Sequence, residues 1–154
     1  MRQESFFLVG ENNSGDGIKK VIVIGSTGTI GEAVSTLLLS CGFFVVGIGR
    51  KISPFDQKKE NYIHHILNLQ NVEILEAPLS NILKKNEDVF GLVHCAGLGK
   101  FSNIENLAVS KIKEMLDVNL LSVIVTAKVL IPYFKKMNKG KLIIIGSEAG
   151  LKGG

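Results

Sequence analysis

The chain has 154 residues, of which 45% are hydrophobic and 21% charged, and its mean hydropathy is +0.28. This length suits one domain with a buried core, and the apolar composition is typical of parallel sheets covered on both faces. The net charge of +4 comes from scattered lysines and arginines rather than a dense basic stripe, so nucleic-acid binding is not expected. The two cysteines are too few for a disulfide framework, lack metal-ligand spacing and fit a reducing cytoplasm.

The beginning of the chain predicts a leader ahead of one domain. The apolar start is too short for a signal peptide and is soon followed by Glu11. Residues 1–18 include a polar, glycine-bearing run without periodicity, which predicts a flexible leader before a domain over residues 19–154. The longest apolar stretch, residues 120–131, is interrupted by polar side chains and is well short of the roughly 20 residues of a membrane helix. We therefore expect a soluble, cytoplasmic protein that does not bind a membrane.

From Lys20 onward, apolar strands alternate with helices. Strands are predicted at residues 21–24, 43–48, 62–67, 90–94 and 141–146, and helices at 31–41, 72–85 and 110–137. Pro78 lies inside the second helix and is expected to disrupt it. The alternation predicts an α/β fold with a doubly wound parallel sheet, the Rossmann fold, ending after the fifth strand. Ligands of such sheets bind in the crevice outside the carboxyl ends of the strands.

The first predicted helix has a recognisable packing face and end. Val34, Leu37, Leu38 and Cys41 recur at a spacing of three and four residues, so they are expected to share the face that packs on the sheet. Gly42 follows at the position that a C-terminal capping glycine occupies.

A glycine-rich turn joins the first strand to this helix. It consists of Gly25, Ser26, Thr27, Gly28, Thr29, Ile30 and Gly31. Gly25 permits the tight turn, Gly28 lets backbone approach a phosphate, and Gly31 lets the helix pack close to the strand. The strand before it and the helix after it predict a dinucleotide site, with the pyrophosphate facing the backbone amides of the helix start. A nucleoside-triphosphate loop is excluded because the turn ends Gly31-Glu32 and not Gly-Lys-Ser/Thr.

The segment after the second predicted strand carries an arginine where NAD sites usually have a carboxylate. An Asp or Glu there bonds the ribose 2′-hydroxyl, whereas this sequence has Gly49-Arg50-Lys51. An arginine can pair with the 2′-phosphate of NADP and stack on adenine. We therefore expect NADP(H) to be favoured over NAD(H), the alternative interpretation of Arg50 being a solvated loop cation.

Three further motifs resemble the short-chain dehydrogenase/reductase family. The segment His94-Cys95-Ala96-Gly97 resembles its Asn-Asn-Ala-Gly motif, with departures at the first two positions. The helix motif with the family's catalytic asparagine resembles residues 117–120, and the segment ending in its catalytic serine resembles residues 140–150. Gly97 and Asn119 are 22 residues apart and Asn119 and Ser147 are 28 apart, as in the family pattern. The resemblance covers residues 19–154.

This resemblance implies an NAD(P)(H)-dependent oxidoreductase that transfers hydride between nicotinamide and a small carbonyl or alcohol substrate. Ser147 would then hydrogen-bond the substrate oxygen, on which charge develops, and Asn119 would hold a water of the proton relay. The cofactor would also contact Asn68, which follows the third strand, and Cys95, Ala96 and Gly97. The parent enzyme is expected to be a homo-oligomer, and no metal site is expected.

The family's Tyr-x-x-x-Lys segment has no counterpart among the 154 residues. Tyr62 is followed four places later by Ile66, and Tyr133 by Met137. The last predicted strand is apolar on both faces, so we expect an open apolar edge there and interpret the chain as an interrupted enzyme that is inactive alone. The alternatives are a non-catalytic NAD(P)-binding module or sensor and, less favoured by the motif spacing, another doubly wound enzyme such as a methyltransferase.

Overall fold

The structure, a computed structural model, describes residues 18–53, 55, 60–99 and 102–148. The predicted leader lies outside the described residues except for its last residue, Ile18. The strands of one five-stranded sheet are β1 (Lys20–Ile24), β2 (Phe44–Gly49), β3 (Tyr62–Ile66), β4 (Val89–His94) and β5 (Lys141–Ile144).

The sheet confirms the doubly wound prediction. All four strand pairs are parallel and the order is β3-β2-β1-β4-β5, so the chain moves outward from β1 in one direction and then crosses back to the other side. Ile24 pairs with Ile48 on one side and with His94 on the other. The carboxyl ends of β1, β2 and β4 therefore lie side by side, at the point where the strand order reverses.

In the part of the chain that the structure describes, four α-helices connect these strands. They are α1 (Thr29–Ser40), α2 (Glu76–Lys85), α3 (Val109–Leu116) and α4 (Ser122–Met137). The prediction that Pro78 disrupts the second helix was wrong, because α2 begins at Glu76 after a short 3₁₀ turn and Pro78 occupies its first turn. A proline is tolerated there, since the first amides of a helix have no intrahelical acceptor.

Helix α1 packs on the sheet by a face made partly of small residues. Gly31 and Ser35 are buried, and Val34 and Leu38 pack against the core. The predicted face was therefore wrong for Leu37, which is 63% exposed, and for Cys41, which is also exposed. The close contact at Gly31 rotates the helix so that its small residues meet the sheet.

The end of α1 is capped as predicted. Gly42 has a φ of +80°, and its amide donates to the Leu39 carbonyl while the Phe43 amide donates to the Leu38 carbonyl. This pair of bonds is the Schellman motif, which satisfies carbonyls that the helix itself leaves without donors.

The core lies on both faces of the sheet. The face toward α2 and α4 buries Ile22, Ile24, Val46, Ile48 and Leu92, and the other face buries Val21, Val23, Val45 and Val93. Alternate residues of the central strands thus enter opposite clusters, as strands covered on both sides require. Burying each large aliphatic side chain contributes about 2 kcal/mol to folding. The central strands are therefore stable, and they fix the positions from which the carboxyl-end loops begin.

The last strand, β5, pairs with β4 and forms an edge of the sheet. Its apolar residues Leu142, Ile143 and Ile144 are 36, 43 and 51% exposed. The sequence predicted this strand to continue to Gly146, and the structure ends it two residues earlier, at Ile144. Within the described residues, no strand pairs with the other side of β5.

One continuous helical stretch, Val109–Met137, comprises α3, a π turn at Asp117–Leu121 and α4. By length and composition it could cross a membrane, with a mean hydropathy of 1.7 in its most apolar window. One such helix is weak evidence, because core helices pass the same test. Within this stretch Ser122, Thr126 and Leu130 are buried, and Leu130 belongs to the cluster on the sheet.

Candidate functional site

A cavity of about 230 Å³ opens where the carboxyl ends of the central strands meet. It lies at the reversal of the strand order, which is the ligand position of doubly wound sheets. Its described lining consists of Gly25, Thr27, Gly28, Gly49, Arg50, Lys51, Leu67, Asn68, Leu69, Cys95, Ala96, Gly97, Leu98 and Val118. The cavity thus brings together eight of the residues that the sequence predicted for a cofactor and several that it missed.

The glycine turn is held tightly against the ends of β1 and β2. Gly25 has a φ of +79°, and its amide donates to the Ile48 carbonyl at 2.7 Å. A Cβ on Gly25 would lie 2.6 Å from the Ala96 amide nitrogen, and one on Gly31 would lie 2.1 Å from the Gly25 carbonyl oxygen. Both positions therefore require glycine, one for its backbone conformation and both for the close approach of backbone.

The beginning of α1 faces the cavity without a capping side chain. The N-cap is Gly28, which lines the cavity and offers no side-chain acceptor to the first amides of the helix. These amides and the positive end of the helix dipole form a site that suits an anion such as a pyrophosphate. The turn therefore fits a dinucleotide in its chemistry as well as its position.

The seven predicted residues of the turn do not all line the cavity. Gly25, Thr27 and Gly28 line it, whereas Thr29 and Ile30 do not and are exposed to solvent. Ser26 also does not line the cavity, because its side chain is fully buried, with its Oγ 3.3 Å from the Tyr62 hydroxyl.

The part of the cavity next to the glycine turn, at the ends of β2 and β3, is basic. Arg50 and Lys51 line it directly after β2, and Asn68 lines it after β3. The Asn68 Oδ1 accepts a hydrogen bond from the Gln70 amide at 3.2 Å, which fixes the turn that follows β3. Two cations and no carboxylate are found among the described lining residues.

The residues after β4 form the opposite wall. The Cys95 amide donates to the Ile24 carbonyl at 2.8 Å and thereby extends the pairing of β4 with β1. Burial raises the pKa of the half-buried Cys95 thiol, so this thiol stays protonated near neutral pH. Ala96 and Gly97 follow it along the same wall.

The Asn119 side chain is bonded to the end of this wall. Its Oδ1 accepts from the Leu98 amide at 2.7 Å, and its Nδ2 donates to the Leu98 carbonyl at 2.8 Å. Asn119 lies in the π turn, and its neighbour Val118 lines the cavity. The motifs around Gly97 and Asn119, two residues that are 22 positions apart in sequence, therefore meet in space.

Ser147 lies beyond the end of β5 and is exposed. The Ile145 amide donates to the His94 carbonyl, so the chain still follows β4 just before Ser147. Ser147 is therefore on the carboxyl-end side of the sheet, but it is not among the cavity-lining residues.

His94, the first residue of the segment that resembles Asn-Asn-Ala-Gly, is a buried polar residue at the end of β4. Its Nε2 lies 3.2 Å from Ser122 Oγ, and the Ser122 hydroxyl donates to the Val118 carbonyl. Because that hydroxyl proton is already used, His94 Nε2 must be the donor to Ser122. Burial lowers the His94 pKa from 6.5 to about 4, so the ring is neutral at pH 7. The one sequence feature that pointed to His94 was its position, where the family motif has an asparagine.

The sequence analysis did not identify several lining residues, each of which is a chain neighbour of a predicted one. Lys51 follows Arg50, Leu98 follows Gly97, and Val118 precedes Asn119. Within the described residues, no group of three His, Cys, Asp or Glu side chains could hold a metal ion.

Comparison with known proteins shows which family this chain resembles. A model of the short chain dehydrogenase family matches residues 19–154. An uncharacterized oxidoreductase of Staphylococcus aureus is 28% identical over 144 residues, which are 87% of this chain and 60% of the relative. An NADP-dependent 3-hydroxy acid dehydrogenase of Salmonella typhimurium is 27% identical over 135 residues, 84% of this chain and 54% of the relative. The chain thus spans less than two thirds of the length of these relatives.

Solved structures share the fold. A short chain dehydrogenase from Leptospira borgpetersenii with bound NAD⁺ superposes with a TM-score of 0.81 at 21% identity, covering 89% of this chain and 54% of that one. With the family model matched over all of residues 19–154, the chain belongs to the short-chain dehydrogenase/reductase family of oxidoreductases.

Proposed function

We propose that the chain binds NADP(H), in preference to NAD(H), in the cavity at the carboxyl ends of β1, β2 and β4. The observation that carries this proposal is the juxtaposition in one cavity of the uncapped start of α1 at Gly28 and the basic pair Arg50 and Lys51. The first suits a pyrophosphate and the second a 2′-phosphate.

The residues divide between the two halves of the cofactor. The glycine turn from Gly25 to Gly31 would hold the pyrophosphate with backbone amides, and Asn68 would lie beside the adenine. The wall of Cys95, Ala96 and Gly97 would run along the dinucleotide, because it lies directly beside the glycine turn and lines the same cavity. The cofactor supplies the hydride, and these residues bind and orient it.

The preference for NADP(H) is supported by charge. A 2′-phosphate gains charge-assisted hydrogen bonds from Arg50, and no described lining residue carries a carboxylate to repel it. The Salmonella relative is named as NADP-dependent, which agrees with this preference. The Leptospira relative holds NAD⁺, so the fold itself accepts either dinucleotide and the choice rests on local residues.

The proposed reaction of the whole enzyme is hydride transfer between nicotinamide and a small carbonyl or alcohol substrate. Ser147 would bond the substrate oxygen and Asn119 would hold a water of the proton relay. The 154 residues contain no Tyr-x-x-x-Lys sequence that could supply the general acid. We therefore propose that this span alone binds cofactor without turnover.

Calorimetry of the 154-residue chain with NADPH and NADH tests the binding proposal. We expect saturable binding of both with a lower Kd for NADPH, and tighter binding of NADH would refute the stated preference. Absorbance at 340 nm with NADPH and a panel of ketones tests the second part. Sustained oxidation of NADPH would refute the proposal that this span binds cofactor without turnover.

A non-catalytic NAD(P)-binding module is the second candidate, and the same cavity-lining residues would serve it. It predicts monodisperse behaviour and a rise in Tm with cofactor, as any ligand of the folded state produces. Under this alternative, Ser147→Ala and Asn119→Ala in a chain extended by a Tyr-x-x-x-Lys segment would leave activity at the same background level. The proposed enzyme would instead lose activity at both positions.

A further inference from the structure

His64 lies in the edge strand β3 beside the candidate cofactor site but does not line the cavity. It pairs with Gly47 of β2, and its ring lies over the end of that strand. A Cβ built on Gly49 would be 3.5 Å from His64 Cε1 and 2.7 Å from Thr27 Oγ1. The ring therefore lies between the glycine turn and the segment that follows β2.

One ring nitrogen holds the segment with the basic pair. His64 Nε2 lies 2.8 Å from the Lys51 carbonyl oxygen, a hydrogen-bond distance. A carbonyl oxygen can only accept, so Nε2 carries the donated proton. Because Arg50 directly precedes Lys51 and is itself exposed, this bond fixes the backbone from which the arginine side chain extends.

The other ring nitrogen, Nδ1, faces the hydroxyl of Tyr62, which in turn contacts Ser26 of the glycine turn. The ring Nδ1 lies 3.1 Å from the Tyr62 hydroxyl oxygen, a hydrogen-bond distance. The same hydroxyl lies 3.3 Å from Oγ of the buried Ser26 in the turn. The Tyr62 and His64 rings are nearly parallel, with an interplanar angle of 8° and centroids 6.2 Å apart.

We propose that His64 is a positioning residue for NADP(H) specificity, which it exerts by holding the Lys51 carbonyl so that Arg50 meets the 2′-phosphate. The inference rests on the proposed cofactor site. His64 touches neither half of the cofactor, and its effect passes through the backbone at residues 50–51. A loop held in its binding geometry loses less conformational freedom when the phosphate binds, and this gain is confined to the cofactor that has the phosphate.

Binding of NADPH and NADH to the 154-residue chain and its variants tests the role of His64. In His64→Phe, which keeps a planar ring without nitrogens, we expect the Kd for NADPH to rise about fivefold, the effect of one net hydrogen bond. The Kd for NADH should change less than twofold. In His64→Gln, whose amide nitrogen can reach the position of Nε2, most of the NADPH affinity should return.

The neighbouring histidine provides the matched control. His65→Phe makes the same replacement one residue along β3, where side chains point to the opposite face of the sheet. We expect it to change the two Kd values by the same factor. A change in the NADPH-to-NADH ratio as large as that of His64→Phe would overturn the proposal.

A double-mutant cycle with Arg50→Ala separates positioning from general stability. If His64 acts through Arg50, adding His64→Phe to Arg50→Ala should leave the Kd for NADPH unchanged. Equal losses in the presence and absence of Arg50 would overturn the inference while leaving the cofactor site intact. If the unaltered chain binds neither dinucleotide, the proposed function fails and this inference fails with it. If His64→Phe does not fold, His64→Leu, which also lacks a hydrogen-bond donor, and its cycle with Arg50→Ala decide the question.

Discussion

Asn119 bonds both backbone groups of Leu98, with Oδ1 accepting from the amide at 2.7 Å and Nδ2 donating to the carbonyl at 2.8 Å. A single amide side chain thus joins the π turn of the long helix to the loop after β4. The loop that forms one wall of the cavity is fixed by a residue of the helix beside it.

Replacing this amide should loosen the loop. Because both bonds are exposed to solvent, we expect Asn119→Ala to lower the free energy of unfolding by only about 1 kcal/mol. Amide hydrogen exchange of Leu98 should be faster in the variant, since its acceptor is gone. Asn119→Asp keeps the Oδ1 acceptor but sets a carboxylate oxygen against the Leu98 carbonyl, so protection of Leu98 should lie between that of Asn119→Ala and that of the unaltered chain. Equal exchange of Leu98 in Asn119→Ala and the unaltered chain would contradict the bond.

The buried His94 should make stability depend on pH. Its pKa is lowered by burial to about 4 in the folded chain, against 6.5 for an unperturbed histidine. Below pH 6.5 the unfolded state takes up a proton that the folded state does not, so stability falls as the pH falls from 6.5 toward 4. The loss should reach about 3 kcal/mol at pH 4.

Urea unfolding at several pH values measures this loss. His94→Asn, which cannot titrate, should lack this component of the pH dependence while the carboxylate contributions remain. The cost of the substitution itself is read above pH 7.5, where His94 is neutral in both states. The same slope between pH 6.5 and 4 in both proteins would show that His94 is not the group responsible.

Gly31→Ala should be costly although alanine normally favours helices. The new Cβ would lie 2.1 Å from the Gly25 carbonyl oxygen, so the glycine turn or the helix must move. We expect a loss of at least about 2 kcal/mol in unfolding free energy and loss of dinucleotide binding. Gly42→Ala is the control, since a Cβ there has nothing within 4 Å and only the φ of +80° opposes it. It should cost about 1 kcal/mol without affecting binding.

Arg50 should determine the cofactor preference. In Arg50→Ala we expect the Kd for NADPH to rise roughly ten- to hundredfold, as for lost hydrogen bonds to a charged group. NADH has no 2′-phosphate, so its Kd should change little. Lys51→Ala is the matched control in the same segment, and we expect a smaller change because lysine acts as a point charge without the bidentate geometry of arginine. Calorimetry with both dinucleotides decides between these outcomes.

The sheet and the cofactor wall could be predicted because their signals are local in sequence. Each strand is a short apolar run, and Gly25, Gly28 and Gly97 lie directly after strands whose ends meet. The capping glycine Gly42 was predictable for the same reason. Fold class and the place of the cavity follow from such signals.

What could not be predicted depends on contacts between distant residues. The rotation of α1 that exposes Leu37 follows from the contact of Gly31 with Gly25, which apolar spacing does not encode. The bond from His64 to the Lys51 carbonyl requires two strands to be in register, and the bond from His94 to Ser122 requires a helix to cross β4. Side-chain partners of this kind become visible only once the fold is assembled.

The π turn at Asp117–Leu121 makes the long helix one residue longer than an α-helix over the same path. Deleting one residue there would restore regular α-helical geometry and rotate everything on one side by about 100° relative to the other. Either Asn119 would turn away from Leu98, or Thr126 and Leu130 would leave the sheet. Selection on the core and selection on the loop are therefore compatible only while this extra residue is retained, and the turn should resist single-residue deletion more strongly than any neighbouring stretch of the helix.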